Sequence, residues 1–199
     1  MPTLSRRATR GIVPILFLAA VAAPTLVFAQ TTQPASRPAA EPLVGEMRVE
    51  TLKGMAFLCV SGETTLKDIS GSVRKMSVDL KKAIDDAKVQ PDGGMVLIYH
   101  GVTMDPNQPF HLDVGYKVPK GTKAAGAAHV QELADYPCAT VLYTGPIRGV
   151  GEAFQRLFPA LFGAGHRPTE DLREYYLYWE SPESPNNVIL VTVGIDASM

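Results

Sequence analysis

Apolar residues recur along this chain with two different periods, and the change of period divides it into elements. Met55 to Val60 is a continuous apolar run of the kind that forms a buried strand, and Val49 to Leu52 precedes it with a break near Gly54. An apolar residue then recurs every three or four positions, at Ile69, Val73, Met76, Leu80 and Ile84. This pattern predicts an interrupted strand followed by an amphipathic helix.

A strand hairpin is predicted after this helix. Met95 to Tyr99 is rich in β-branched and aromatic residues, and Phe110 to Val118 places apolar residues at alternating positions. Asp105-Pro106-Asn107 supplies turn residues between the two runs. The first half of the chain therefore has the order β-α-β-β.

The second half repeats this order. Val130 to Leu133 and Cys138 to Tyr143 predict a strand that is broken near Pro137. A helical stripe follows, consisting of Phe154, Leu157, Phe158, Leu161 and Phe162. A closing hairpin is predicted from Glu174 to Trp179 and from Val188 to Ile195.

The two halves align with nearly constant offsets. Identical residues fall together in three pairs, Gly62 with Gly145, Tyr99 with Tyr178 and Gly115 with Gly194, and the last two pairs have the same offset. We therefore predict an α+β fold, a tandem β-α-β-β repeat about a pseudo-twofold axis. Its antiparallel sheet carries two helices on one face, and we expect the helix-free face to form a central ligand groove.

The N-terminal region predicts an export signal. Arg6, Arg7 and Arg10 precede an uncharged apolar run, and Val27-Phe28-Ala29 offers a cleavage site before Gln30. An uncleaved membrane anchor is the alternative. We divide the chain into a signal peptide (1–29), a flexible Pro/Thr/Ala linker (30–42) and one domain (43–199), and expect a periplasmic or secreted protein.

Charge and cysteine content narrow the function further. Without the three signal arginines the chain has 16 basic and 20 acidic residues, which argues against nucleic acid as a partner. Cys59 and Cys138 allow either a disulfide bond or two buried thiols. The four histidines lack the spacing of a metal site, and neither a phosphate-binding loop nor a nucleophile motif occurs. We expect no cofactor and a monomer.

Four segments in this order resemble the GyrI-like family, which also supplies the effector-binding domains of AraC-type and MerR-type multidrug regulators. They are the run Val49–Gly62, the turn Tyr143–Pro146, the strand Glu174–Leu177 with Ser181-Pro182 after it, and the terminal run Val191–Ile195. The resemblance implies a pair of β-α-β-β units and a central groove for lipophilic, often cationic molecules. Two departures concern the groove wall and hairpin length: Ile147 replaces the family's usual aromatic residue, and the Pro after the E-x-Y strand lies two residues late.

The family's buried acidic residue belongs to an E-x-Y strand, which Glu174 and Tyr176 match. Strand alternation puts Tyr178 on the same face, and Tyr175, Leu177 and Trp179 on the face that we expect to meet the helices. The candidate ligand-binding residues are Glu174, Tyr176, Tyr178, Tyr99, Leu97, Met95 and, more weakly, Tyr143. A carboxylate among tyrosines can hold a cation. Alternatively, Glu174 pairs with Arg173 or Arg167 at a sheet end.

These observations predict an exported protein that binds a small lipophilic molecule, with cations among the expected ligands. Nothing in the sequence requires an enzyme. An alternative follows from the resemblance, because some GyrI-like proteins are hydrolases that open strained cyclopropane electrophiles. In such an enzyme Glu174 would act as the general base and Tyr176 or Tyr178 as the orienting acid.

Overall fold

A computed structural model describes residues 42–196, which form nine strands and two α-helices. The predicted signal peptide and nearly all of the predicted linker lie outside these residues. In chain order the elements are β1 (Leu43–Val44), β2 (Arg48–Leu52), β3 (Met55–Thr64), α1 (Ile69–Ala87), β4 (Met95–His100), β5 (Phe110–Val118), β6 (His129–Leu133), β7 (Tyr136–Thr144), α2 (Gly151–Gly163), β8 (Pro168–Tyr178) and β9 (Val188–Ile195). A short 3-10 turn, Ile147–Gly149, precedes α2.

One antiparallel sheet contains all nine strands. Its order is β1-β7-β9-β8-β4-β5-β3-β6, and β2 pairs with β7 beside this path. The first repeat supplies β3, α1, β4 and β5, and the second supplies β7, α2, β8 and β9. The two repeats meet where β4 pairs with β8 at the centre of the sheet. The predicted α+β tandem repeat is therefore confirmed.

The ladders define how the repeats correspond. Cys59 faces Gly115 in the first repeat, and Cys138 faces Gly194 in the second, so the first and last strands of the two repeats share one offset. The same offset carries Leu112 of β5 onto Val191 of β9. In the central strands, Tyr99 faces Leu112 and Glu174 faces Val191.

Tyr99 therefore corresponds to Glu174, and the predicted match of Tyr99 with Tyr178 is wrong. A gap of different length between helix and strand shifts the register of β4 relative to β8. The match of Gly62 with Gly145 is also wrong, because β3 and β7 correspond with the same offset as β5 and β9. Gly62 faces Leu112, so its counterpart is the residue facing Val191, which is Val141.

The sheet curls because its first strands pair with strands of the opposite repeat. Arg48–Leu52 pairs with β7, and Met55–Cys59 pairs with β6, in one continuous register across the break between β2 and β3. At this break a Cβ on Gly54 would collide with the backbone at Leu133, so the two bent strands can approach this closely only with glycine here.

The two faces of the sheet have different environments. One face packs against both helices and includes Leu58, Leu97 and Val191, together with Leu80 of α1 and Leu157 of α2. The other face encloses a smaller cluster inside the curled sheet: Met55, Phe57, Cys59, Val96 and Ile98. Tyr175 packs against the smaller cluster, so the prediction that Tyr175 meets the helices is wrong.

Cys59 and Cys138 are both free and buried on the face without helices. Burial raises the pKa of each thiol to about 11, so both are un-ionised near neutral pH. In residues 42–196 no helix is long and apolar enough to cross a membrane.

Candidate functional site

Glu174 is a buried carboxyl on the face of the sheet that carries the helices. It lies in the middle of β8, between Leu97 of β4 and Val191 of β9, and only 3% of its surface is exposed. Burial raises the pKa of Glu174, because a carboxylate loses its hydration there. Its ionisation is therefore costly unless a cation or hydrogen-bond donors compensate.

Two tyrosines lie beside this carboxyl, and one of them donates a hydrogen bond to it. The Tyr176 hydroxyl donates a 2.9 Å hydrogen bond to Glu174 Oε2, and Tyr99 lies on the same face, two residues along β4 from the Leu97 that pairs with Glu174. Both tyrosines oppose the effect of burial on the pKa of Glu174. The register makes Tyr99 the counterpart of Glu174, so the pseudo-twofold axis brings this hydroxyl and this carboxyl together from equivalent positions.

An open cleft of about 440 Å³ lies on the solvent side of Tyr176. We call it the Tyr176 cleft, and its walls are Ser77, Gly94, Met95, Tyr116, Tyr176, Leu177, Tyr178 and Trp179. The Trp179 ring meets the Tyr176 ring edge to face, with centroids 5.4 Å apart. Tyr176 thus separates the cleft from Glu174 and contacts both.

Gly94 lets two strand ends come close together at the cleft. A Cβ at position 94 would collide with the Tyr176 carbonyl oxygen, so only glycine lets the start of β4 lie against the end of β8. At the same end of β8 the pairing with β9 is irregular between Tyr176 and Tyr178. This irregularity interrupts strict alternation and leaves Leu177, Tyr178 and Trp179 all exposed.

Most of the predicted site residues come together, although on the helix-bearing face and not on the helix-free face that we expected. Glu174, Tyr176, Tyr99 and Leu97 form the buried part, and Met95 lies in the cleft wall. On the helix-bearing face the cleft opens at the end of β8, whereas the other face encloses the cluster around Phe57 and Ile98.

Tyr178 also lies in the cleft wall, but it is half exposed and its hydroxyl donates a 2.8 Å hydrogen bond to Glu180. Tyr143 does not line the Tyr176 cleft. It is fully buried, and its hydroxyl donates a 2.6 Å hydrogen bond to the carbonyl of Pro146 just before α2. Tyr143 therefore anchors the turn into α2.

The alternative partners for Glu174 are not used. Arg173 points to the opposite face, where it makes two hydrogen bonds to Asp171 at 3.0 and 2.6 Å and its guanidinium lies 3.7 Å from the centre of the Tyr136 ring. Glu174 instead accepts a hydrogen bond from Tyr176.

Sequence reasoning placed Trp179 against the helices and missed Ser77, Gly94 and Tyr116 altogether. Ser77 and Tyr116 belong to an ordinary helix and strand, and only the packing of α1 over β5 brings them to the cleft. A sequence signal did exist for Trp179, because an aromatic residue directly after an E-x-Y-x-Y strand is available to cover the tyrosines.

A second polar cluster surrounds Asp113 on the face without helices. The buried carboxylate accepts hydrogen bonds from Ser61, from Gln131 at 3.1 Å and from His100 at 3.0 Å, and His111 lies 3.3 Å away. Burial alone would raise the pKa of Asp113, but these hydrogen bonds lower it below its usual range. Within residues 42–196, no three His, Cys, Asp or Glu side chains are arranged to hold a metal ion.

The fold and site together define a class: an α+β domain of two β-α-β-β units, with a curled antiparallel sheet and an aromatic cleft in front of a buried carboxyl. This architecture is consistent with the GyrI-like fold that the sequence resemblance implied. No family model and no curated protein matches the chain.

Solved structures share the fold at low sequence identity. The C-terminal domain of EcmrR superposes with a TM-score of 0.65 at 15% identity, over 76% of this chain and 97% of that one. SAV2435 bound to tetraphenylphosphonium superposes with a TM-score of 0.55 at 10% identity, over 76% and 94% of the two chains. A hydrolase from Listeria innocua gives a TM-score of 0.50 at 12% identity, over 76% and 92%.

EcmrR has also been solved in a complex with DNA, where the match covers 58% of that longer chain at 15% identity and a TM-score of 0.65. These likenesses establish the fold of the present chain. The expectation that it has no nucleic-acid partner stays a prediction.

Proposed function

We propose that this protein binds a small lipophilic cation in the Tyr176 cleft. The observation that carries the proposal is the buried Glu174 carboxyl, which lies directly behind the aromatic wall of an open cleft and is hydrogen-bonded to Tyr176. The tetraphenylphosphonium in the structure of SAV2435, which has the same fold, supports this class of ligand.

The aromatic walls and the carboxyl have separate roles in this proposal. The rings of Tyr176, Tyr178 and Trp179 offer apolar area and electron-rich faces, which attract a delocalised cation. The Glu174 charge acts through a region poor in water, where electrostatic attraction is stronger than at the surface. The walls therefore set the affinity for lipophilic molecules in general, and Glu174 sets the preference for positive charge.

The test compares a cation with a neutral molecule of similar size. Tetraphenylphosphonium and triphenylphosphine oxide are titrated against the wild type and Glu174→Gln, with the fluorescence of Trp179, the only tryptophan in the chain, as readout. We expect Glu174→Gln to weaken binding of the cation by about 1.5–3 kcal/mol, or roughly ten- to a hundredfold in dissociation constant. The affinity for the neutral molecule should be nearly unchanged.

Glu170→Gln is the matched control, because Glu170 lies on the same strand, is exposed and is absent from the cleft walls. It removes the same net charge without removing the buried carboxyl. Equal losses for cation and neutral molecule in Glu174→Gln, or an equal loss in Glu170→Gln, would contradict the role proposed for Glu174.

A hydrolase is the second candidate, and the raised pKa of Glu174 is the observation that favours it. A carboxylate whose pKa is raised by burial is a stronger base than an exposed one, and the tyrosine hydroxyl that it shares a hydrogen bond with can help to orient a substrate. Product analysis by mass spectrometry after incubation with a cyclopropane electrophile tests this candidate. Hydrolysed product that depends on Glu174 would establish the enzyme.

We also propose that the protein is exported, on the basis of the order of charged and apolar residues in the segment 1–29. The mature protein would then begin at or near Gln30. Mass spectrometry of the periplasmic or secreted fraction tests this, and an intact Met1 in that fraction would contradict it.

A further inference from the structure

A second cleft continues the Tyr176 cleft along α1. We call it the α1 cleft; its volume is about 460 Å³ and its walls are Ser77, Leu80, Lys81, Ile84, Asp85, Gln90, Pro91, Gly93 and Tyr116. Ser77 and Tyr116 belong to the walls of both clefts. The two spaces are therefore neighbours with a shared boundary.

The α1 cleft has an apolar lining beneath a charged rim. Ile84 and Pro91 are half-buried and present hydrocarbon to the cleft, and the almost completely buried Leu80 lies beneath them. At the rim Lys81 and Asp85 are exposed and form a 3.0 Å ion pair. With the charged groups paired at the surface, the lining suits a hydrocarbon chain better than a polar ligand.

The boundary between the clefts suits an unbranched chain as well. The Ser77 hydroxyl donates a 2.7 Å hydrogen bond to the carbonyl of Val73 within its own helix, so Ser77 presents a short side chain whose donor is already used. Ser77, Leu80, Ile84 and Asp85 lie along one stripe of α1, and the rise of a helix makes that stripe ~12 Å long.

We propose that the two clefts form one elongated site for a cationic amphiphile. The cationic head occupies the Tyr176 cleft in front of Glu174, and an unbranched alkyl tail lies along α1 against Leu80, Ile84 and Pro91. This inference rests on the proposed function. It adds a ligand class, alkylated cations, because a cleft for compact cations alone would not bind a cation more tightly when its alkyl tail is longer.

The experiment measures how affinity depends on tail length. Alkyltrimethylammonium ions from octyl to hexadecyl, each below its micelle-forming concentration, are titrated against the wild type with Trp179 fluorescence as readout. We expect the dissociation constant to fall about two- to fourfold for each added methylene until the tail fills the α1 cleft, after which it levels off. Tetraphenylphosphonium, which has no tail, is the compact reference.

Three variants locate the tail. Ile84→Ser should reduce the gain per methylene and leave tetraphenylphosphonium affinity unchanged, and Ile84→Met, which keeps an apolar side chain, should restore the gain. Val78→Ser is the matched control, because Val78 is 67% exposed on the same helix and lines neither cleft. Thermal melting checks that each variant is folded.

The outcomes separate this inference from the proposed function. If tetraphenylphosphonium binds but the affinity of the alkyl series does not change with tail length, the elongated site is wrong and the proposed function stands. An equal gain per methylene in Ile84→Ser and Val78→Ser would also overturn it, because the tail would then bind elsewhere. If no cation binds at all, the proposed function fails and the elongated site fails with it.

Discussion

The position of Glu174 predicts a specific dependence of cation affinity on pH. Burial raises the pKa of the free protein's Glu174, so its carboxyl stays neutral up to a higher pH than that of an exposed glutamate. A bound cation favours the charged carboxylate and therefore lowers this pKa. Binding then releases a proton, and the affinity rises with pH.

The magnitude follows from having a single carboxyl, Glu174, behind the cleft wall. As pH rises toward the pKa of Glu174 in the free protein, the dissociation constant should fall by up to about tenfold for each pH unit. Above that pKa the dissociation constant should be constant. At low pH the wild type should bind as weakly as Glu174→Gln. The total change across the pH range therefore equals the loss caused by that substitution, roughly ten- to a hundredfold.

No imidazole or carboxyl group belongs to the walls of the Tyr176 cleft. None of the eight residues that line the Tyr176 cleft is a histidine, and the pKa values of Tyr99 and Tyr176 are raised further above their usual range, mainly by burial. Tetraphenylphosphonium titrations between about pH 4 and pH 8 at constant ionic strength, followed by Trp179 fluorescence, measure the curve.

Glu174→Gln should bind tetraphenylphosphonium with the same affinity throughout this pH range. A flat curve for the wild type, or the same slope in both proteins, would refute the reasoning. Stability should respond in the opposite direction. Because the folded pKa of Glu174 lies above its unfolded value, the unfolding free energy falls as pH rises from the unfolded pKa to the folded pKa, and Glu174→Gln removes this loss.

Two further predictions concern residues outside the cleft. Tyr143→Phe removes the hydroxyl that donates to Pro146 and should lower the unfolding free energy by about 1–2 kcal/mol in a denaturant titration. The cation affinity should not change, and a loss of affinity would mean that Tyr143 contributes to ligand binding. Asp113→Asn should lower the melting temperature more at about pH 5.5 than at about pH 8. The reason is that Asp113 raises the pKa of His100, and this stabilisation is lost as pH rises through that raised pKa; equal losses at both pH values would contradict it.

The sequence by itself determined the elements, because their patterns are local. Phe110–Val118 and Val188–Ile195 were predicted with the bounds that the structure shows, since runs of apolar and β-branched residues between turn signals specify a strand. The stripe from Ile69 to Ile84 likewise specified α1. The duplication could be predicted for the same reason, since each repeat keeps its own local order.

The sequence also predicted that Glu174 and Tyr176 lie together on one face of their strand. Residues two apart on a strand share a face, so an E-x-Y segment brings a carboxyl and a phenol to the same side whatever the rest of the fold does.

Only the tertiary structure decided which face of the sheet carries the cleft and which partners complete it. Alternation shows that Glu174 and Tyr175 point in opposite directions, but it does not show which direction the helices cover, because both faces of this curled sheet are buried. The register between β4 and β8 is set by pairing over long sequence distances. It makes Glu174 the counterpart of Tyr99, where the sequence had predicted Tyr178. Ser77 and Tyr116 reach the cleft through the packing of α1 on β5, which no local pattern records.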